Sequence, residues 1–155
     1  MKLAFGADHA GYDLKQHLIG VARELGHTVA DLGTHGHESV DYPDFGEAVG
    51  RAVIAGEADL GVVICSNGVG ISIAANKVPG VRCALCHSGW GAGRARQHAD
   101  ANVLALGALE VGQGVAGEIL VAFLSNHFEG GRHARRLAKL AEIEARGIAL
   151  EAAVP

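Results

Sequence analysis

Cys65 stands at the end of the apolar run "LGVVIC" and is followed at once by "SNGVG". A thiol just before a helix start feels that helix's positive end, which suits a thiolate acting as base or nucleophile. Glycine lets backbone approach a ligand closely, so the amides of Ser66, Asn67, Gly68, Val69 and Gly70 could donate to a developing oxyanion. Taken alone, Cys65 reads equally well as a small core residue and the glycines as a turn. Other groups with chemical potential lie beyond it. Asp8 and His9 stand in "GADHAG", His35, His37, Asp41 and Tyr42 in "THGHESVDYPD", His98 in "RQHAD", and Arg132, Arg135 and Arg136 in "GGRHARR". Arginines four apart share a helix face and can grip a phosphate from one side; as a merely solvated helix start they would oppose the helix dipole. His35 and His37 lack a third ligand at recognisable spacing, which weakens a metal-hydrolase reading of "THGHE".

These residues need elements to hold them. Short β-type runs at residues 2–6, 28–32, 60–65, 81–86 and 103–106 alternate with helical patterns, the signature of βαβ units and a parallel sheet. The first helix carries Leu14, Leu18, Val21, Ala22 and Leu25 at helical spacing and stops at Gly26. Further helices are expected at 45–56, 70–76, 89–98, 112–125 and 133–146, on both faces of the sheet. Residues 1–146 then form one domain, and "GIALEAAVP" at 147–155 reads as a flexible tail. In an open parallel sheet ligands bind beyond the carboxyl ends of the strands, where Asp8, His9, Tyr42 and Cys65 fall. His98 precedes the fifth strand and belongs to the opposite rim. A strand of six residues spans about 20 Å, so a site using both Cys65 and His98 must draw His98 from another subunit.

Composition excludes several classes. With 155 residues, 49% hydrophobic and 19% charged, the chain can build its own core without a metal or disulfide. A formal net charge of -4 opposes a nucleic-acid footprint. No apolar run approaches the ~20 residues of a membrane span, and "MKLAFGADH" carries no export signal, so a cytoplasmic address is expected. Three cysteines in such a chain point to reduced thiols. The Cys83–Cys86 spacing falls in a strand pattern, which sends the two thiols to opposite faces.

Together "FGADHAG", "DYPDFG", "ICSNGVGISIAANK", "RQHADANVLALG" and "FEGGRHARR" resemble, in order and spacing, the type B ribose-5-phosphate isomerases and their galactose- and allose-6-phosphate relatives. The resemblance spans about 145 residues. It implies a three-layer αβα sandwich with a five-stranded parallel sheet, Rossmann-like, and a homodimer, or a tetramer of such dimers, with active sites between subunits. It implies an aldose–ketose isomerase of ribose 5-phosphate and ribulose 5-phosphate, working through a cis-enediolate with no metal or cofactor. By motif, Cys65 matches the general base and His98 the ring-opening group. Asp8 and His9 match substrate-binding residues, and Arg132 and Arg136 match phosphate ligands.

Three positions depart from the family pattern. Asn67 stands where a Thr or Ser hydroxyl is usual, Ala99 replaces an Asn, and Leu109 replaces an Arg facing the phosphate. An amide N–H can still donate at position 67. A missing charge-assisted contact costs roughly 1.5 to 3 kcal/mol, so His9, Arg94 or Arg96 must compensate or the substrate must differ. The alternatives are therefore another sugar phosphate, such as a tetrose, allose or galactose phosphate, or a non-catalytic sugar-phosphate-binding module.

Overall fold

The computed structural model describes residues 1–152. In chain order the elements are β1 (Lys2–Ala7), α1 (Tyr12–Glu24), β2 (Thr28–Asp31), α2 (Tyr42–Ile54), β3 (Leu60–Cys65), α3 (Val69–Asn76), β4 (Cys83–Leu85), α4 (Gly89–Ala99), β5 (Val103–Gly107), α5 (Gln113–Ser125) and α6 (Arg132–Ala152). All five strands pair in parallel, in the order β2-β1-β3-β5-β4. Among the described residues no helix is long and apolar enough to cross a membrane.

Strand alternation divides the core in two. Leu3, Phe5, Leu60, Val62 and Ile64 pack against α1 and α5, while Ala4, Val63 and Cys65 pack against Val49 of α2 and Ile71 and Ala75 of α3. Each fully buried Val, Leu, Ile or Phe side chain among these contributes about 1.5–3 kcal/mol, which is what holds helices on both faces. Period two also fixes the aim of Cys65: its side chain leaves the sheet on the α2–α3 face. Cys83 and Cys86 do fall on opposite faces. Burial pushes the Cys83 thiol up to about 12, with the Cys86 charge adding to it, and the Cys86 thiol up to about 11.

Two boundaries differ most from the sequence reading. Helix α2 begins at Tyr42 rather than 45, because Pro43 fits a first helical turn, where its missing N–H has no intrahelical partner to lose. The second is the end of the last helix, expected at 146. Helix α6 runs through Gly147 to Ala152, since one glycine costs only about 1 kcal/mol and strong helix formers such as Ala145, Ala149 and Leu150 surround it; residues 153–155 lie outside the described part. Leu140, Ile143 and Ile148 on α6 are about half exposed.

A partly buried ion pair ties the loop after β2 to α1. Lys15 is wholly buried and its Nζ donates to an Asp31 carboxylate oxygen and to the Thr34 carbonyl, the latter at 2.7 Å. Desolvation pushes the Asp31 carboxyl up. Hydrogen bonds from Lys15 and the Gly33 N–H, with the Lys15 charge, outweigh it and leave the group below its ordinary value. Lys15→Ala should therefore lower the unfolding free energy by about 2 kcal/mol in urea titrations, the loss of a charge-assisted hydrogen bond to Asp31. The Asp31 share of this stability is present above its unfolded pKa of ~3.9 and lost as pH falls through its lower folded value.

Candidate active site

At the carboxyl rim, the turn after β3 wraps around the thiol. Cys65 Sγ, almost fully buried, accepts a hydrogen bond from the Gly68 N–H at 3.2 Å. Gly68 caps α3 with φ of 77°, and a Cβ there would lie 2.5 Å from Leu85 and 2.8 Å from the Leu106 carbonyl carbon, so only glycine admits this turn. Asn67 Oδ1 accepts from the Val69 N–H at 3.0 Å, which leaves its NH₂ group as a donor at the exposed tip. Ser66 is half-buried and Val69 exposed. The Tyr42 ring lies over Gly70, where an added Cβ would come within 2.6 Å of the ring.

The β1 loop closes the same half-site. Buried Asp8 uses Oδ1 to accept from the Ala10 and Gly11 N–H groups, both at 3.0 Å, so part of this expected substrate ligand is committed to shaping its own turn. His9 Nδ1 accepts from the Val40 N–H at 3.2 Å, which fixes the ring and leaves Nε2 as the nitrogen available to a ligand. The structure thus gathers Asp8, His9, Tyr42, Cys65 and the Ser66–Gly70 segment at one end of the sheet. Exposed Leu109 follows β5 at this rim, its N–H donating to the Ser66 carbonyl at 2.9 Å.

His98 lies elsewhere. Cys65 is in register with Gly107, whereas Val103, which His98 precedes, is in register with Gly61. Those four residues of strand separate the rims by about 13 Å. Around His98 the chain assembles a second half-site. Its ring stacks on that of His133, with centroids 4.1 Å apart and planes 10° from parallel. Arg94 Nη1 lies 3.4 Å from His98 Nε2, Arg132 Nε donates to His133 Nε2 at 3.4 Å, and Glu129 Oε2 sits 3.7 Å from His98 and 4.0 Å from His133. Arg132 and Arg136 are exposed beside it. The expected arginine pair and His98 therefore meet, and the Cys65 half does not join them within one chain.

His133 and Glu129 were not singled out from the sequence. The signal was present in "EGGRHARR", but the stacking that recruits His133 links α4 to α6 and has no local pattern. The ligand atoms of His98, Glu129 and His133 lie within 4.8 Å of one another, a spacing a metal could use. Two facts oppose a cation there: stacked rings hold their nitrogen lone pairs parallel rather than convergent, and the Arg94 and Arg132 guanidiniums sit against the imidazoles. The field suits an anion. His35 and His37 pair with different carboxylates, Asp31 at 3.8 Å and Asp13 at 3.5 Å, so "THGHE" does not converge on one ion.

Comparison with known proteins shows the family and the fold. The profile of the ribose/galactose isomerase family matches residues 3–140. Ribose-5-phosphate isomerase B of Escherichia coli is 46% identical over 145 residues, covering 94% of this chain and 97% of that protein. Galactose-6-phosphate isomerase subunit LacB of Clostridium acetobutylicum is 38% identical over 139 residues, 90% of this chain and 80% of that one. Among solved structures, ribose-5-phosphate isomerase B of Clostridium thermocellum superposes with a TM-score of 0.93 at 52% identity, covering 94% of this chain and 99% of that one.

Burial holds the His133 imidazole below its usual value, helped by His98, Arg132 and Arg136 and opposed by Glu129. Because the folded state resists protonation, His133 contributes stability above its unfolded pKa of ~6.5 that is lost as pH falls toward the lower folded value. The melting temperature should accordingly drop on acidification below about pH 6.5, and His133→Gln should flatten that slope. Parallel slopes for the two proteins would contradict this.

Proposed function

The chain belongs to the ribose/galactose isomerase family, and from that membership we propose that it interconverts ribose 5-phosphate and ribulose 5-phosphate by cofactor-free proton transfer in an active site shared between two subunits. The hydrogen bond from the Gly68 N–H to Cys65 Sγ carries the reading, because it sets a thiol at a helix start among backbone donors.

Ring opening comes first. His98 of the partner subunit hands a proton to the ring oxygen as the anomeric hydroxyl loses its own, giving the open aldehyde. The Cys65 thiolate then takes the proton from C2, and the released electron pair forms the C1–C2 double bond of a cis-enediolate. Donors of the Ser66–Gly70 segment, with the Asn67 amide, stabilise its oxygens, and they act only as charge develops. The thiol returns the proton to C1 while the O2 proton passes to O1, and the ketose results. Asp8, His9 and Tyr42 line the sugar's path, and Arg132 and Arg136 hold the phosphate. A pure binding module would have no use for the thiol.

The second copy is supported by the separation of the rims and by the apolar stripe of α6. A groove of about 400 Å³ runs beneath α6 between Arg82, Leu137, Leu140 and Glu144 and does not reach Cys65. A homodimer fits these features, with pairing into a tetramer a further step, and a cytoplasmic location suits an enzyme of free sugar phosphates. Exposed Leu109 favours a second reading, the same chemistry on a tetrose, allose or galactose phosphate. A panel of such phosphates beside ribose 5-phosphate separates the two.

Cys65→Ala and His98→Ala should each be nearly inactive while folding normally. After subunit exchange, an equal mixture should recover roughly a quarter of wild-type turnover, since half the dimers then hold one intact site. No recovery despite exchange proven by mass spectrometry would place both residues in one subunit's site.

A further inference from the structure

Among the described residues the arginines fall into two groups. Arg51 is paired with Glu47, and Arg82 and Arg96 converge on Asp100. Arg96 Nη1 also donates to the Ala101 carbonyl at 2.6 Å, and the side chain is mostly buried, which holds this guanidinium in place. Arg94, one turn before His98 on the same helix face, is exposed and has no carboxylate partner. Its Nη1 donates to Gln97 Oε1 at 3.0 Å, its guanidinium carbon lies 5.8 Å from the Trp90 ring centre, and Nη1 approaches His98 Nε2 at 3.4 Å.

The geometry therefore aims an unneutralised guanidinium at the imidazole pair from the α4 side, opposite Arg132 and Arg136 on α6. His98 Nε2 and His133 Nε2, which Arg94 Nη1 and Arg132 Nε respectively approach at 3.4 Å, belong to a cluster whose ligand atoms lie within 4.8 Å of one another. Glu129 is the carboxylate in contact with that cluster, and three guanidiniums outweigh it. A flexible arginine stem spans such a distance, and a phosphate dianion supplies the charge and the oxygens that planar guanidiniums recognise.

We infer that Arg94 is a further substrate-binding residue, closing on the phosphate of the bound sugar from α4 while Arg132 and Arg136 hold it from α6. This rests on the proposed sugar-phosphate chemistry but not on which sugar is turned over. Arg96 takes no part, being locked to Asp100 and Ala101.

Inorganic phosphate titrated into the full-length protein and followed by ³¹P nuclear magnetic resonance tests the contact without turnover. Arg94→Leu should weaken phosphate binding about tenfold, the loss of one charge-assisted contact, with an unchanged melting temperature. Arg51→Leu, on α2, should bind as wild type does. With a turned-over sugar phosphate, Arg94→Leu should raise KM by a similar factor and leave kcat within about twofold, the mark of uniform binding. Equal phosphate affinity in wild type and Arg94→Leu overturns the inference, as does phosphate failing to saturate the wild type. So does a fall in kcat with a shifted pH profile at unchanged KM, which would make Arg94 a group acting through His98. Loss of phosphate binding in Arg94→Leu, in a protein that isomerises no sugar phosphate, would uphold the inference and sink the proposed reaction.

Discussion

The hydrogen-bonded parallel sheet imposes the constraint on which everything else depends. Its strands all run one way, so every residue that ends a strand lies at one rim and every residue that precedes a strand lies at the other. Cys65 ends β3 and His98 precedes β5, and the register of Cys65 with Gly107 leaves no freedom to bring them together. A flexible loop could close such a gap; a helix end packed against a sheet cannot. In the proposed reaction the chemistry is thereby coupled to assembly, with each subunit supplying a different half of the site.

The two halves differ in electrical character, and the difference suits the substrate. At the carboxyl rim the polar groups are mainly neutral donors: the Gly68 N–H on sulfur, the Asn67 amide and the free nitrogen of His9. These stabilise charge that appears only during reaction. The amino-rim half carries permanent cations, Arg94, Arg132 and Arg136, around the stacked His98 and His133. They suit charge that is present from the start. Supporting contacts hold both arrangements in place. Lys15 and Asp31 anchor the loop after β2, whose later residue Val40 orients His9. Arg82 and Arg96 clamp Asp100, which caps α4 with a φ of 44°, just past His98.

Much of this was legible in the sequence for reasons that are local. Buried parallel strands read as apolar runs, so β1 and β3 were recognisable, and glycines after Cys65 announced a tight turn. The opposed faces of Cys83 and Cys86 followed from strand alternation alone. What escaped was either marginal locally or long-range. Helix α6 continues past Gly147 because neighbouring helix formers outweigh one glycine, a balance too fine for a pattern to decide. His133 enters the site by stacking across two helices, and a lone histidine between arginines does not disclose that. Arg94 and Arg96 were indistinguishable as letters. Only their partners separate a structural cation from a free one.

The dependence of specific activity on protein concentration, measured alongside sedimentation on the same dilution series, tests the shared site most directly. If Cys65 and His98 act from different subunits, turnover per chain must fall in step with the dimer fraction and vanish in the monomer. A monomer confirmed by sedimentation that retains full turnover would contradict the account.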